Sequence, residues 1–187
     1  MANHYANPGP LGLMGFGMTT LLLNIHNAGF FPLSAMIMAM GIFYGGIAQI
    51  IAGLFEFRKG NTFGTTAFIS YGFFWLTLVA IWVLPKLGWA DPTPAGFMGC
   101  FLLLWGVFTA FMFAATLKIN RALQFIFGSL VVLFALLAIH DFTGIEWIGH
   151  LAGWEGIICG ASAIYLAMAE VLNEQYGRTV LPIGELK

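Results

Sequence analysis

The chain has 187 residues, 60% of them hydrophobic and 8% charged, with a formal net charge of −1. Its mean hydropathy is +0.89. A water-soluble domain of this size needs a polar skin that this composition does not supply, so the sequence points to a chain shaped by lipid, with no nucleic-acid partner expected.

Six apolar runs follow one another, over residues 10–26, 34–57, 63–84, 95–117, 122–140 and 151–173. Spanning a hydrocarbon layer about 30 Å thick takes about 20 helical residues. The runs are too long and too uniformly apolar for barrel strands, and helices satisfy their own backbone amides, as lipid requires. The prediction is an all-α integral membrane protein of six transmembrane helices, one transmembrane domain over residues 1–187. Six spans put both termini on one side, with Arg58, Lys59, Lys118, Arg121, Arg178 and Lys187, and leave Lys86 alone on the other. That asymmetry predicts cytoplasmic termini. No cleavable signal peptide is visible, because Met1–Ala6 carry no Lys or Arg.

The first run opens with Asn7-Pro8-Gly9-Pro10-Leu11-Gly12-Leu13. Asn is a good N-cap, and proline suits a first turn, where its missing N–H is not needed. The reading is either a plain helix start or the shaped inner mouth of a pathway. The odd spans echo one another at Gly15-Phe16, Ser70-Tyr71 and Ser129-Leu130. The even spans echo at Tyr44-Gly45, Trp105-Gly106 and Cys159-Gly160. This hints at three tandem helical hairpins, and transport proteins often place substrate sites where repeats meet. Hairpins related by an axis along the membrane normal would bring Phe16, Tyr71 and Leu130 to one depth, as an apolar collar or as ordinary helix packing.

Glycines recur inside the spans, including Gly41–Gly45 and Gly156–Gly160 at GxxxG spacing. Small residues let helix backbones approach closely in lipid. Glu56 and Glu170 fall near the cytoplasmic ends of spans two and six, and Glu155 near the outer end of span six. No carboxylate sits at the centre of a span, which argues against a carboxylate-relay pump. Thr19, Gln49 and Ser70 are the uncharged polar residues that best suit a pathway, and Gln49 is the costliest to leave facing lipid. His26, His140 and His150 fall at outer span ends, with Asp141 and Glu146 sharing their loop. They are interfacial residues or a titratable outer vestibule. Cys100 and Cys159 lie in separate spans and read as packing residues. No span carries a Lys for a retinal-type Schiff base, and no facing histidines suit a haem. No metal or cofactor is expected, and no acid, base or metal cluster suggests an enzyme.

The motif at Asn7–Leu13 resembles the N-P-A-P-L-G-L of the acetate uptake transporter family, which includes bacterial succinate–acetate/proton symporters and fungal acetate permeases. Gly9 stands where that motif has Ala. The likeness continues through residues 14–20, 40–49, 59–64, 160–165 and the tail over 172–182. It implies a urea-channel-like protomer in a homohexamer, with one pathway per protomer. It also implies a narrow waist at Phe16, Tyr71 and Leu130, and a size-sensitive position at Ala163. An isolated carboxylate in an apolar waist costs on the order of ten kcal/mol. Passing it with a proton removes most of that cost. The expected function is proton-coupled uptake (symport) of acetate and related short carboxylates, including succinate. The alternatives are a passive anion channel, or a channel for ammonium or small neutral solutes.

Overall fold

The computed structural model describes residues 6–186; Met1–Tyr5 and Lys187, the last of them counted in the topology above, lie outside the described residues. Six helices account for most of the chain: α1 Gly9–Asn27, α2 Ala35–Arg58, α3 Thr62–Lys86, α4 Ala95–Thr116, α5 Arg121–Thr143 and α6 Glu146–Tyr176. Five of them, α2 to α6, are long and apolar enough to cross a membrane. At 19 residues, α1 is the shortest of the six, and it buries the polar side chains Thr19, Thr20 and Asn24.

Local chemistry sets the helix ends. Asn61 caps α3 by accepting from the Gly64 amide at 3.1 Å, and Asn120 caps α5 by accepting from the Leu123 amide at 2.8 Å. α5 stops at Gly144 and α6 at Gly177, both in the left-handed conformation that glycine adopts without strain. The sequence misplaced two boundaries here. Asp141 and Glu146 do not share a loop: Asp141 lies inside α5, and Glu146 is the first residue of α6. No breaker interrupts either helix until Gly144, so α6 begins five residues before the expected 151.

A second difference lies in α2. Its middle, Gly41–Ala48, is a π-helix. The wider turn brings the Tyr44 carbonyl against Gly15 of α1, where a Cβ would approach to 2.6 Å. Such segments often mark functional regions. The cluster Gly41, Gly45 and Gly46 is the trace it leaves in the sequence.

The helices form a ring in chain order. α1 packs along α2 and α6, α2 along α3, α4 along α5 and α5 along α6, whereas α3 and α4 touch only narrowly. The contact of α1 with α6 depends on glycine. A Cβ at Gly160 would lie 2.7 Å from the Gly17 carbonyl oxygen, and one at Gly153 would lie 2.2 Å from the Ala28 nitrogen. Backbones in this contact leave no room for side chains. The tail returns along α6: Asn173 donates to the Leu181 carbonyl at 2.8 Å, and Tyr165 donates to the Pro182 carbonyl at 2.9 Å. It ends against the start of α5, where the Arg121 amide donates to the Gly184 carbonyl. Large apolar side chains such as Phe43, Leu104, Phe111 and Phe125 face outward.

Gly160→Ala is expected to cost about 1–3 kcal/mol through overpacking. Gly96→Ala, where nothing lies within 4 Å of the added carbon, should be close to neutral. Thermal unfolding of both variants in detergent checks the pair.

Candidate functional site

A cavity of about 370 Å³ opens between α1, α2, α3, α5 and α6. Its mouth lies at the face carrying the α2–α3 and α4–α5 loops, where Lys59, Asn61, Ile119 and Asn120 line it. Its deep end is apolar: Leu13, Phe16, Ala67, Tyr71, Ile126, Phe127 and Leu130. Phe16, Tyr71 and Leu130, on three different helices, thus line one cavity, and all three are buried. The rings of Phe16 and Tyr71 lie 6.0 Å apart, centroid to centroid. Tyr71 is further enclosed by Trp105, Phe108 and Phe127, at 6.0, 5.5 and 6.1 Å.

The Tyr71 hydroxyl bonds Thr109 Oγ1 at 2.9 Å, and Thr109 donates on to the Trp105 carbonyl at 2.7 Å. A carbonyl only accepts, so the threonine hydrogen goes to Trp105 and Tyr71 is the donor to Thr109. This pair ties α3 to α4 across their otherwise narrow contact and fixes the tyrosine ring.

Gln49 is a further polar side chain lining the cavity. It is 1% exposed, and neither Nε2 nor Oε1 has a hydrogen-bond partner among the described residues. A buried amide normally finds partners, so an unpaired one lining a cavity has donor and acceptor capacity for a solute. The other expected pathway residues fall elsewhere. Thr19 is fully buried between α1 and α2, 3.5 Å from the Met40 carbonyl. Ser70 is half-buried, Ala163 is fully buried on α6, and none of the three lines the cavity.

The N-terminal motif builds the mouth. Asn7 Oδ1 accepts from the Gly9 amide at 3.1 Å and from Lys59 Nζ at 3.1 Å, while its amide donates to Glu170 Oε2 at 2.9 Å. Pro8 sits at the N-cap position, so the helix begins at Gly9, and Pro10 occupies the first turn. Leu11 faces outward, while Gly9 and Leu13 line the cavity. A Cβ at Gly12 would reach 2.5 Å from the Phe68 ring, so this position needs glycine for the approach of α3. Glu56, 2% exposed, accepts from Asn61 at 2.6 Å and lies 3.7 Å from Lys59. Among the described residues, Lys59 is the one cation lining the cavity, set among the carboxylates of Glu56 and Glu170. In the sequence, Lys59 reads as a topology signal and as part of the likeness over residues 59–64, neither of which reveals this network.

Glu155 needs a correction. Because α6 starts early, Glu155 lies well inside it and accepts a short hydrogen bond from Ser129 of α5, the neighbour of Leu130. A carboxyl therefore does sit at depth, in the contact between α5 and α6. It does not line the cavity.

The GPR1/FUN34/yaaH family profile matches residues 1–187. The chain belongs to this family. Among its relatives, the succinate-acetate/proton symporter SatP of Escherichia coli (strain K12) is 71% identical over 180 residues, covering 96% of each chain. The ammonia transport outward protein 2 of Saccharomyces cerevisiae is 36% identical over 179 residues, covering 91% of this chain and 63% of that one. The solved structure of the bacterial acetate channel SatP superposes with a TM-score of 0.96 at 70% identity, covering 97% of this chain and all of that one.

Thr109→Val keeps the shape of the side chain but leaves the Tyr71 hydroxyl buried without an acceptor. The expected loss is about 1–3 kcal/mol, read as a lower melting temperature. Tyr71→Phe in the Thr109→Val background should recover part of it.

Proposed function

We propose that the chain carries acetate and related short carboxylates, succinate among them, across the cell inner membrane together with protons. All six helices span the bilayer, α1 included, as three helical hairpins in tandem, and both termini are cytoplasmic. The observation that carries the reading is the cavity: polar at its mouth, holding one unpaired amide, and closing on Phe16, Tyr71 and Leu130. These three form the waist of the pathway. Gln49 orients the solute below it, Thr19 and Ser70 support that region, and Ala163 sets side-chain size on α6. The 71%-identical relative named as a succinate-acetate/proton symporter supports the same substrate class.

The proton follows from physics. A carboxylate held among Phe16, Phe127 and Leu130 loses its hydration and finds no fixed cation there among the described residues. A protonated acid crosses without that penalty, so proton and substrate travel together. A homohexamer with one pathway in each protomer accounts for the outward apolar side chains, which meet lipid or a neighbouring copy. A passive acetate channel is the second reading, favoured by the description of the solved relative as an acetate channel.

Labelled-acetate uptake by purified protein in proteoliposomes decides between them. With the voltage clamped at zero, an inward proton gradient should accumulate acetate above its outside concentration. Uptake that ignores the proton gradient at zero voltage, and follows a voltage imposed in its place, contradicts symport and supports the anion channel. Leu130→Ala should widen the waist and admit longer monocarboxylates, with uptake rising several-fold relative to acetate. Unchanged selectivity removes Leu130 from the pathway.

A further inference from the structure

A second cavity, of about 250 Å³, lies at the opposite face of the ring. It is lined by His26 and Asn27 at the end of α1, Gly29 in the following turn, Leu137 and His140 of α5, and Glu146, Gly149 and His150 of α6. Three of the chain's four histidines thus converge on one concavity, from three elements. Packing holds them there. A Cβ at Gly149 would lie 3.0 Å from the His140 ring, and one at Gly29 would lie 3.4 Å from His150 Nε2. His26 Nδ1 bonds the Phe31 carbonyl at 2.7 Å, and His140 Nδ1 bonds the Ile145 carbonyl at 3.1 Å. A carbonyl oxygen only accepts, so each Nδ1 carries a hydrogen. A neutral ring then presents Nε2 as its acceptor.

This cavity is in line with the first. Leu130 lines the first cavity and Leu137 the second. They are seven residues apart on one face of α5, so about 10 Å of helix separates the two cavities. Between them lie Leu133 and Phe134, both buried. The histidine cavity is therefore the mouth beyond the waist.

We propose that this mouth is a collecting site for small carboxylate anions, switched on when its histidines are protonated. The proposal rests on the transport reading above. The charges facing the site are few. Glu146 lines it, and Asp141 follows His140 on α5; the turn after α1 offers no charged residue, and Lys86 and Asp91 of the α3–α4 loop do not line the cavity. With neutral imidazoles the Glu146 carboxylate makes the mouth negative, and it repels anions. Three imidazolium groups reverse that balance to net positive. Imidazole is the side chain that changes charge near neutral pH, so the mouth gathers carboxylate on the acidic side of a proton gradient. A cleft of one charge sign raises the local concentration of its counter-ion by about tenfold or more.

The test is labelled-acetate exchange in proteoliposomes held at the same pH on both sides, between about pH 5 and 8. The triple variant His26→Asn, His140→Asn, His150→Asn should need about three- to tenfold more acetate for half-saturation than the unmodified protein at the acidic end, and the same concentration at the alkaline end. Equal half-saturation at every pH overturns the proposal. If the triple variant does not reconstitute, Glu146→Gln decides: it makes the mouth more positive and should lower the half-saturating concentration, whereas no change overturns the proposal. Failure of the unmodified protein to exchange acetate at any pH contradicts the transport reading itself, and this proposal with it.

Discussion

The contact between α1 and α6 is made backbone to backbone, and the rest of the molecule is arranged around it. Gly17 and Gly160 meet with no side chain between them, and Gly156 receives the Asn24 side chain within 2.4 Å of where a Cβ would stand. Lipid gives helices no hydrophobic reason to associate, so the contact has to come from close packing. It closes the ring of helices and sets α1 deep enough for Phe16 to reach Tyr71. It also leaves Thr19, Thr20 and Asn24 buried, polar side chains that lower the hydropathy of α1.

The polar groups divide into three layers along the ring. At one face, Asn7, Lys59, Glu56, Asn61 and Glu170 are tied to one another. At the other, three histidines and Glu146 surround a smaller concavity. Between them, the cavity wall is aromatic and aliphatic, and among the described residues Gln49 is its one unpaired polar side chain. Water and fixed charge are available at both ends and scarce in the middle. A solute that can shed its charge is matched to that profile; a permanent ion is not.

Much of this was legible in the sequence because it rests on local rules. The apolar runs gave the helices to within a few residues at most ends. The echo at Phe16, Tyr71 and Leu130 picked out residues that line one cavity. The resemblance at Asn7–Leu13 flagged a segment that turns out to bridge to Lys59 and Glu170. What was hidden depends on geometry that spacing does not encode. The π-helical turn in α2 alters the facing of the residues after it, and a 3.6-residue periodicity has no term for that. The early start of α6 changed the depth of Glu155 and gave it Ser129 as a partner. Thr19, Ser70 and Ala163 are polar or small at suitable depth, yet their directions around the helix keep them off the cavity wall.

The central claim is that charge is cancelled before the apolar middle is crossed. Electrical recording tests it most directly, with the protein reconstituted in a planar bilayer under an acetate gradient and a pH-sensitive dye following proton movement. The account predicts that protons enter with acetate and that no net current flows. A steady current that reverses at the acetate equilibrium potential would show the naked anion crossing, and would contradict it.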